Sequence, residues 1–313
     1  MIAFIAKRLA AGVVLLVAVS VGTFFLAHTA ITDPTVGLLG TTATEAQREA
    51  LTIKLGLDRP LIVQFWDWFS HAAIGDFGTS WRNFQSVNDQ IAIKLPVTLS
   101  VVSFATLLTA FFGITLGMIA GLNPNSMLDR MSKGITVVLF ALPGFWVSLV
   151  LVIWFAVNLR WFPAVGYVQP TQSITGWLRS ITLPAVSLSL MGIVVVAEQL
   201  RNEVIAVNKQ DFVRTLRSRG LSQGQVIIHI LRNACPAALT MLAIMFVSLL
   251  SGAIVVEAIF SLPGIGQLIN SSSQIGDIPV LLGITVVSVI FVVIVNFLLD
   301  IALGWINPKV RVK

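Results

Sequence analysis

Few residues in this 313-residue chain are of types that do covalent chemistry. Its single cysteine, Cys235, rules out an intrachain disulfide, and no metal-ligand spacing is present. Cys235 stands where an apolar run begins and reads as a packing residue. No Gly-x-x-x-x-Gly-Lys-Ser/Thr loop is available to cradle a phosphate, and no His-Glu-x-x-His pair to hold a zinc ion. Catalytic residues are therefore not assigned, and no metal is expected. What remains is charge in unusual places. Glu257 and Asp300 lie near the ends of long apolar runs, where an ionisable group is costly. Snorkelling or helix pairing explains them, and so does a gating role. His28, near the end of the first apolar run, reads as a packed or interfacial histidine.

The densest stretch of charge runs from Arg201 to Arg232. Within it Phe212, Val213 and Leu216 fall on one helical face at i, i+1, i+4, and Gly220 then breaks the helix. A second short helix is expected beyond it, with Val226, Ile227, Ile230 and Leu231 on one side. Gln225, His229 and Arg232 fall on the other at i, i+4, i+7. Two amphipathic helices joined at a glycine form a hairpin that can lie along a membrane and offer its polar face to a partner. A passive basic loop held by lipid headgroups fits the same composition.

The elements that must position these residues are membrane spans. The chain is 56% hydrophobic and 11% charged, with a mean hydropathy of +0.92, whereas a soluble domain carries about 25% charged residues. Long runs without Asp, Glu, Lys or Arg cover Leu9–Thr32, Leu95–Leu128, Gly134–Leu159, Ile181–Ala197, Asn233–Val256 and Ile278–Leu299. Each approaches or exceeds the roughly 20 residues that cross a hydrocarbon core, the fourth by extending through Glu198 to Leu200. The first is too long for a signal-peptide core and has no clear cleavage site behind it, so it reads as a retained span. Trp161–Leu178 and Ala258–Gly276 are also uncharged apart from Glu257 beside the latter, but their prolines, glycines and polar residues mark loops or re-entrant segments. The expectation is an all-α polytopic membrane protein with six transmembrane helices.

Orientation follows from charge. With a cytoplasmic N-terminus, thirteen of the 20 Lys and Arg residues fall inside and seven outside, as cytoplasmic loops favour. Both termini are then cytoplasmic, and Trp161, Phe162 and Trp177 suit the outer interface. The same bias explains the net charge of +6 without nucleic acid as a partner. The segment Asp33 to Lys94 lies outside. It holds a helical piece at Glu45–Leu55 and an aromatic one at Val63–Phe69, which suit an interfacial helix, a cap over a pore mouth or a platform for an external partner. Gly113 and Gly117 have the G-x-x-x-G spacing that lets another helix approach closely, in this chain or in a partner.

The loop Gln210-Asp211-Phe212-Val213-Arg214-Thr215-Leu216-Arg217-Ser218-Arg219-Gly220-Leu221 resembles the EAA-type loop of ABC importer permeases, and more narrowly that of the dipeptide, oligopeptide and nickel permease family. His229-Ile230-Leu231-Arg232-Asn233-Ala234-Cys235-Pro236 matches that family's continuation. Gly56-Leu57-Asp58-Arg59-Pro60 with Gly75-Asp76-Phe77-Gly78-Thr79-Ser80 is similar to the external segment of its B-type subunit. Val256-Glu257-Ala258-Ile259-Phe260 with Pro263-Gly264-Ile265-Gly266 resembles the end of its fifth span. Asp300 and the tail Asn307-Pro308-Lys309-Val310-Arg311 resemble its C-terminus. Leu216 and Ser218 replace small residues usual in the loop, the first span ends Thr32-Asp33-Pro34 rather than Pro-Gly-Asp-Pro, and Asn307 and Lys309 stand where Asp and Arg are favoured.

The resemblance implies a type I ABC importer permease fold. It implies an N-terminal helix and external segment over 1–93, a five-helix transmembrane domain over 94–304 with its coupling loop at 201–235, and a tail over 305–313. It further implies a bacterial inner-membrane subunit that binds no cofactor itself. ATP and magnesium would be held by two ATPase subunits or one fused ATPase, a second C-type permease subunit would complete the pore, and an extracytoplasmic binding protein would deliver substrate, most often peptide. Residues Gln210 to Gly220, with His229 and Arg232, would form the ATPase-coupling surface. A secondary transporter acting alone is the competing class. It predicts ion-coupling groups near the midplane and broken helices in repeated halves, whereas no Asp, Glu or Arg sits at a span centre and no repeat is visible. A membrane-embedded enzyme lacks candidate chemistry.

Overall fold

The computed structural model describes residues 2–31, 33–40 and 42–306. Thr32, the tail motif from Asn307 to Arg311 and Lys313 lie outside the described residues. The first helix, α1 (Ile2–Ala30), covers the first apolar run. Short helices α2 (Pro34–Leu39), α3 (Glu45–Leu55) and α4 (Leu61–Ala73) follow. Asp33 caps α2 by accepting from the Thr35 amide at 2.9 Å; the Thr35 hydroxyl also donates to it and holds its carboxyl below the usual carboxylate range. The start of α3 is a capping box: the Thr44 amide donates to Gln47 Oε1 at 2.9 Å, and the Gln47 amide donates back to the Thr44 hydroxyl.

Helix α5 (Val87–Leu122) passes through Pro96. Next come α6 (Met127–Ala141) and α7 (Gly144–Leu151), the latter running on as a π-helical segment, Val152–Asn158. Helix α8 (Ile174–Asn208) contains Pro184, α9 (Asp211–Ser218) is short, and α10 (Gln223–Ile259) continues for 37 residues through Pro236. The chain closes with α11 (Ile265–Ile275) and α12 (Ile278–Ile306). Among the described residues the only β pairing is an isolated bridge between Thr79 and Ser86.

Helices α1, α5, α8, α10 and α12 are each long and apolar enough to cross a membrane. The remaining expected span, Gly134–Leu159, is not a straight helix. α6 and the α7–π segment bend by 102° at Leu142-Pro143. Proline disfavours a helical conformation in the residue before it, and Leu142 is extended at φ −94°, ψ 132°. Three other expectations change. Helix α8 starts before Ile181, because Ser173 caps it by accepting from the Gly176 amide, and it ends beyond Leu200. The expected second loop helix is the first part of α10. The stretch Ala258–Gly276, expected as a loop or re-entrant segment, contains α11.

The chain folds into two compact units. One takes in Met1–Thr98 and Pro263–Ile294, the other Leu99–Leu262 and Val295–Lys313, and α5 and α12 pass from one to the other. In the first unit Phe24, Phe65, Ile278 and Leu282 form one buried cluster, and Phe77, Val87, Ile91, Leu268 and Ile284 form another. The external segment is tied down by Asp277, 2% exposed, which accepts from the Ser80 hydroxyl at 2.5 Å and the Trp81 amide at 3.0 Å.

In the second unit α5 and α8 meet along a stripe of glycines. A Cβ at Gly113, Gly117 or Gly121 would come within 3.0 Å of Val196, of Ala197 and Leu200, or of Val204, respectively. The G-x-x-x-G spacing therefore serves contact within this chain and extends one turn further than the two glycines first noticed. A core of Val196, Leu200, Val204, Val207, Val213, Val226, Ile230, Ala234 and Leu242 continues from that stripe to the 209–222 loop.

Candidate functional site

The loop between α8 and α10 is built around one buried residue. Val213 is fully buried, with Phe212 and Leu216 half-buried beside it against the core of α8 and α10. Gln210, Asp211, Arg214, Thr215, Arg217, Ser218, Arg219 and Gly220 are exposed. Asp211 stands in the first turn of α9 and Arg217 in the last, the order that complements the helix dipole. Thr215 and Ser218 donate their hydroxyls to the Asp211 and Thr215 carbonyls at 3.0 and 2.9 Å, so both are satisfied within their own helix.

The end of α9 is a Schellman motif. The Gly220 amide donates to the Arg217 carbonyl at 3.0 Å and the Leu221 amide to the Leu216 carbonyl at 3.3 Å, with Leu216 and Leu221 both packed on the same core. Gly220 takes φ +77°, the left-handed conformation that glycine adopts without Cβ strain. Immediately afterwards a second capping box starts α10. The Ser222 amide donates to Gln225 Oε1 at 3.0 Å and the Gln225 amide to the Ser222 hydroxyl at 3.4 Å. Gln225, His229 and Arg232 are exposed along the first turns of α10, as their spacing predicts, while Val226 and Ile230 are buried.

Arg217 folds back to donate to Asn208 Oδ1 on α8 at 2.7 Å. It borders a cavity of about 410 Å³ lined also by Leu122, Asn123, Gln223, Val226 and Ile230. Glu257 is fully buried, but at the far end of α10, about 48 Å from Gln225 at 1.5 Å per residue. Asp300 is half-buried on α12. Neither joins the loop. Gly220-Leu221-Ser222-Gln223-Gly224 carries the G-x-S-x-G spacing. Here the serine caps a helix between two helices rather than standing on a strand-to-helix elbow, the context that makes such a serine nucleophilic.

One pair was not visible in the sequence. Asp129, fully buried near the start of α6, accepts two hydrogen bonds from Arg201 on α8, Nη2 to Oδ2 at 3.0 Å and Nε to Oδ1. The Asn125 amide donates to the same carboxylate at 2.9 Å, and Lys133 Nζ lies 3.4 Å from it. Arg201 also donates to Asn202 Oδ1. The sequence counted Arg201, Arg130 and Lys133 as loop cations. The available signal was a lone acid, Asp129, immediately before Arg130 and four residues before Lys133.

Two family profiles match this chain. Residues 113–312 match the binding-protein-dependent transport system inner membrane component, and residues 1–102 match the N-terminal part of such components. The chain belongs to the binding-protein-dependent transport system inner membrane component family. It is a multi-pass membrane permease of the ABC importer class. The permease is 36% identical over 312 residues to a Brucella abortus (strain 2308) chain described as a candidate peptide transport system permease protein, covering 99% of each. It is 32% identical over 318 residues to the oligopeptide transport system permease protein AppB of Bacillus subtilis (strain 168), covering 99% of this chain and 100% of AppB. It is also 32% identical over 333 residues to the di/tripeptide transport system permease protein DppB of Pseudomonas aeruginosa (strain UCBPP-PA14), covering 99% of each. Among solved structures, an inward-facing MetNI methionine ABC transporter aligns with TM-score 0.53 at 17% identity, over 68% of this chain and 95% of that one. That likeness gives the fold, a type I ABC importer permease.

Proposed function

We propose that this permease imports oligopeptides or dipeptides across a bacterial inner membrane, and that α9 is where ATP-driven movement enters it. The construction of the loop carries the reading. α9 turns a polar, solvent-exposed face outward and is fixed behind by Val213, the Schellman turn and the Ser222–Gln225 capping box that follows it. A passive basic anchor has no need of such rigidity. The peptide substrate is supported by the names of relatives that match nearly end to end.

On this reading the permease forms half of the pore, with a second, C-type permease subunit forming the other half. Two ATPase subunits, or one fused ATPase, bind ATP and magnesium and receive the surface made by Gln210 to Gly220, His229 and Arg232. An extracytoplasmic binding protein delivers the peptide. Both termini are cytoplasmic, and this chain hydrolyses no ATP itself. The domain boundaries at 93/94 and 304/305 belong to the same proposal.

Thr215→Pro tests it. Proline in a helix interior costs roughly 3 kcal/mol, and Thr215 is central in the eight residues of α9. Peptide uptake should be abolished and recovery of ATPase subunits with the permease weakened. Arg217→Gln removes one exposed hydrogen bond to Asn208, worth about 1 kcal/mol, and should cost far less. Normal uptake by the proline variant at wild-type expression would return the loop to the role of a basic anchor.

A further inference from the structure

The Asp129–Arg201 pair is out of keeping with the rest of its helix. Of the described α6 residues, 127 to 141, Asp129 alone is fully buried. Helices in a packed protein are usually held by an apolar face, and the apolar residues of α6 are mostly exposed: Met127, Leu128, Met131, Ile135, Val137, Val138 and Phe140. The deepest attachment of α6 is thus a carboxylate gripped by an arginine of α8. At its other end α6 meets the 102° bend at Leu142-Pro143, where the backbone hydrogen-bond ladder is interrupted. The helix is therefore a rigid arm fixed at one end by an ion pair and jointed at the other.

Arg201 occupies a telling place on α8. Seven residues after it α8 ends at Asn208, and α9 begins at Asp211. The side chains between, Val204 and Val207, are buried in the same core as Val213 of α9. Arg201, the end of α8 and α9 are consequently parts of one packed body. A buried ion pair is weak as a stabiliser, because desolvation offsets much of its attraction, but losing one partner is strongly unfavourable. Such a pair fixes geometry better than it adds stability.

We infer that Asp129 and Arg201 are positioning residues for transport, which lock α6 to the body carrying α9 so that displacement of the loop swings α6 about the Leu142-Pro143 joint. The inference rests on the reading of α9 as the point where movement enters. Asn125 and Lys133 complete the carboxylate's shell, so exchanging the two charges would set an arginine against Lys133. Asp129→Glu is the better conservative variant.

The test uses the assembled transporter in proteoliposomes with its ATPase subunits and binding protein. Spin labels at Val137 on α6 and Ala206 on α8, both exposed, report the distance between the helices without and with ATP. In the otherwise unaltered permease that distance should stay the same in both states. A change with ATP would overturn the inference with no variant of the pair involved. Asp129→Asn, with assembly checked by co-purification, should broaden the distance distribution and lower peptide uptake per ATP hydrolysed by roughly tenfold, since Arg201 then keeps only its longer ion pair to the less buried Glu198 at 3.7 Å. Asp129→Glu should recover most of that ratio. Uptake per ATP equal to the unaltered value in Asp129→Asn, alongside abolished uptake in Thr215→Pro, would refute the ion-pair inference and leave the α9 reading standing. Normal uptake in Thr215→Pro would refute the α9 reading and with it the route by which movement reaches α6.

Discussion

Replacing Gly117 by alanine asks how tightly α5 and α8 are held together. The added Cβ would lie 2.7 Å from the Ala197 carbonyl oxygen and 2.9 Å from Leu200 Cβ. Neither atom can rotate away, since one is backbone and the other is fixed to it. Reaching ordinary contact at 3.4 Å requires a local separation of about 0.7 Å. A gap of that size forfeits a quarter to a half of the dispersion attraction of the atoms it parts, here along Val196, Leu200 and Val204. Overpacking of this kind costs about 1–3 kcal/mol, and the gain in helix propensity from Gly to Ala returns about 1. The expected net loss is about 0–2 kcal/mol, and about 1–3 kcal/mol relative to a glycine-to-alanine change whose Cβ has room. Gly134→Ala on α6 is the control, because its Cβ would meet nothing within 4 Å; it should be neutral or stabilising. Thermal unfolding of the two purified variants in the same detergent, followed by loss of monodisperse protein, gives the comparison. A midpoint for Gly117→Ala equal to or above that of Gly134→Ala would refute the close approach of α5 and α8.

Asp277→Asn leaves one acceptor oxygen for two donors, the Ser80 hydroxyl and the Trp81 amide. It should loosen the 76–88 segment by about 1–3 kcal/mol, seen as faster limited proteolysis there. In a Cys235→Ser background, a membrane-impermeant maleimide applied to intact cells should label Gln85→Cys and miss Arg217→Cys. Labelling of position 217 would reverse the proposed orientation.

Much of this architecture was written locally. Glu45–Leu55 is helical over the expected residues because its cap, Thr44 with Gln47, is a contact three residues long. The positive φ of Gly220 and the polar face of Gln225, His229 and Arg232 likewise depend on near neighbours. Five of the six apolar runs fall on helices long and apolar enough to cross a membrane, and the remaining one, Gly134–Leu159, falls on the bent pair of α6 and the α7–π segment. What escaped depends on weighing local signals against each other, or on distant partners. Pro143 stands in an uncharged run no different in composition from those around Pro96, Pro184 and Pro236, yet only at Leu142-Pro143 does the chain turn. Helix α8 outran its apolar stretch because charge ends a membrane span but does not end a helix. The Ser222–Gln225 box was readable as S-x-x-Q and marks where α10 starts, but a glycine two residues before it suggested a separate short helix. Asp129 and Arg201 are 72 residues apart, and nothing in the sequence near either one names the other.

The unbroken length of α10 has a consequence for how this permease can tolerate change. At 1.5 Å per residue its 37 residues run for about 55 Å, so one rod carries both His229 on its exposed side and Glu257 in a buried position. Those two ends share a helical phase. Inserting a single residue anywhere between Asn233 and Ala253 would turn one end against the other by about 100°. Either Glu257 would leave its buried site or Val226 and Ile230 would leave theirs. The same insertion between Trp161 and Gln172, where the backbone is irregular, would cost a few tenths of a kcal/mol in loop closure. The length of α10 is therefore fixed by the burial pattern at its two ends, in a way that its individual apolar side chains are not.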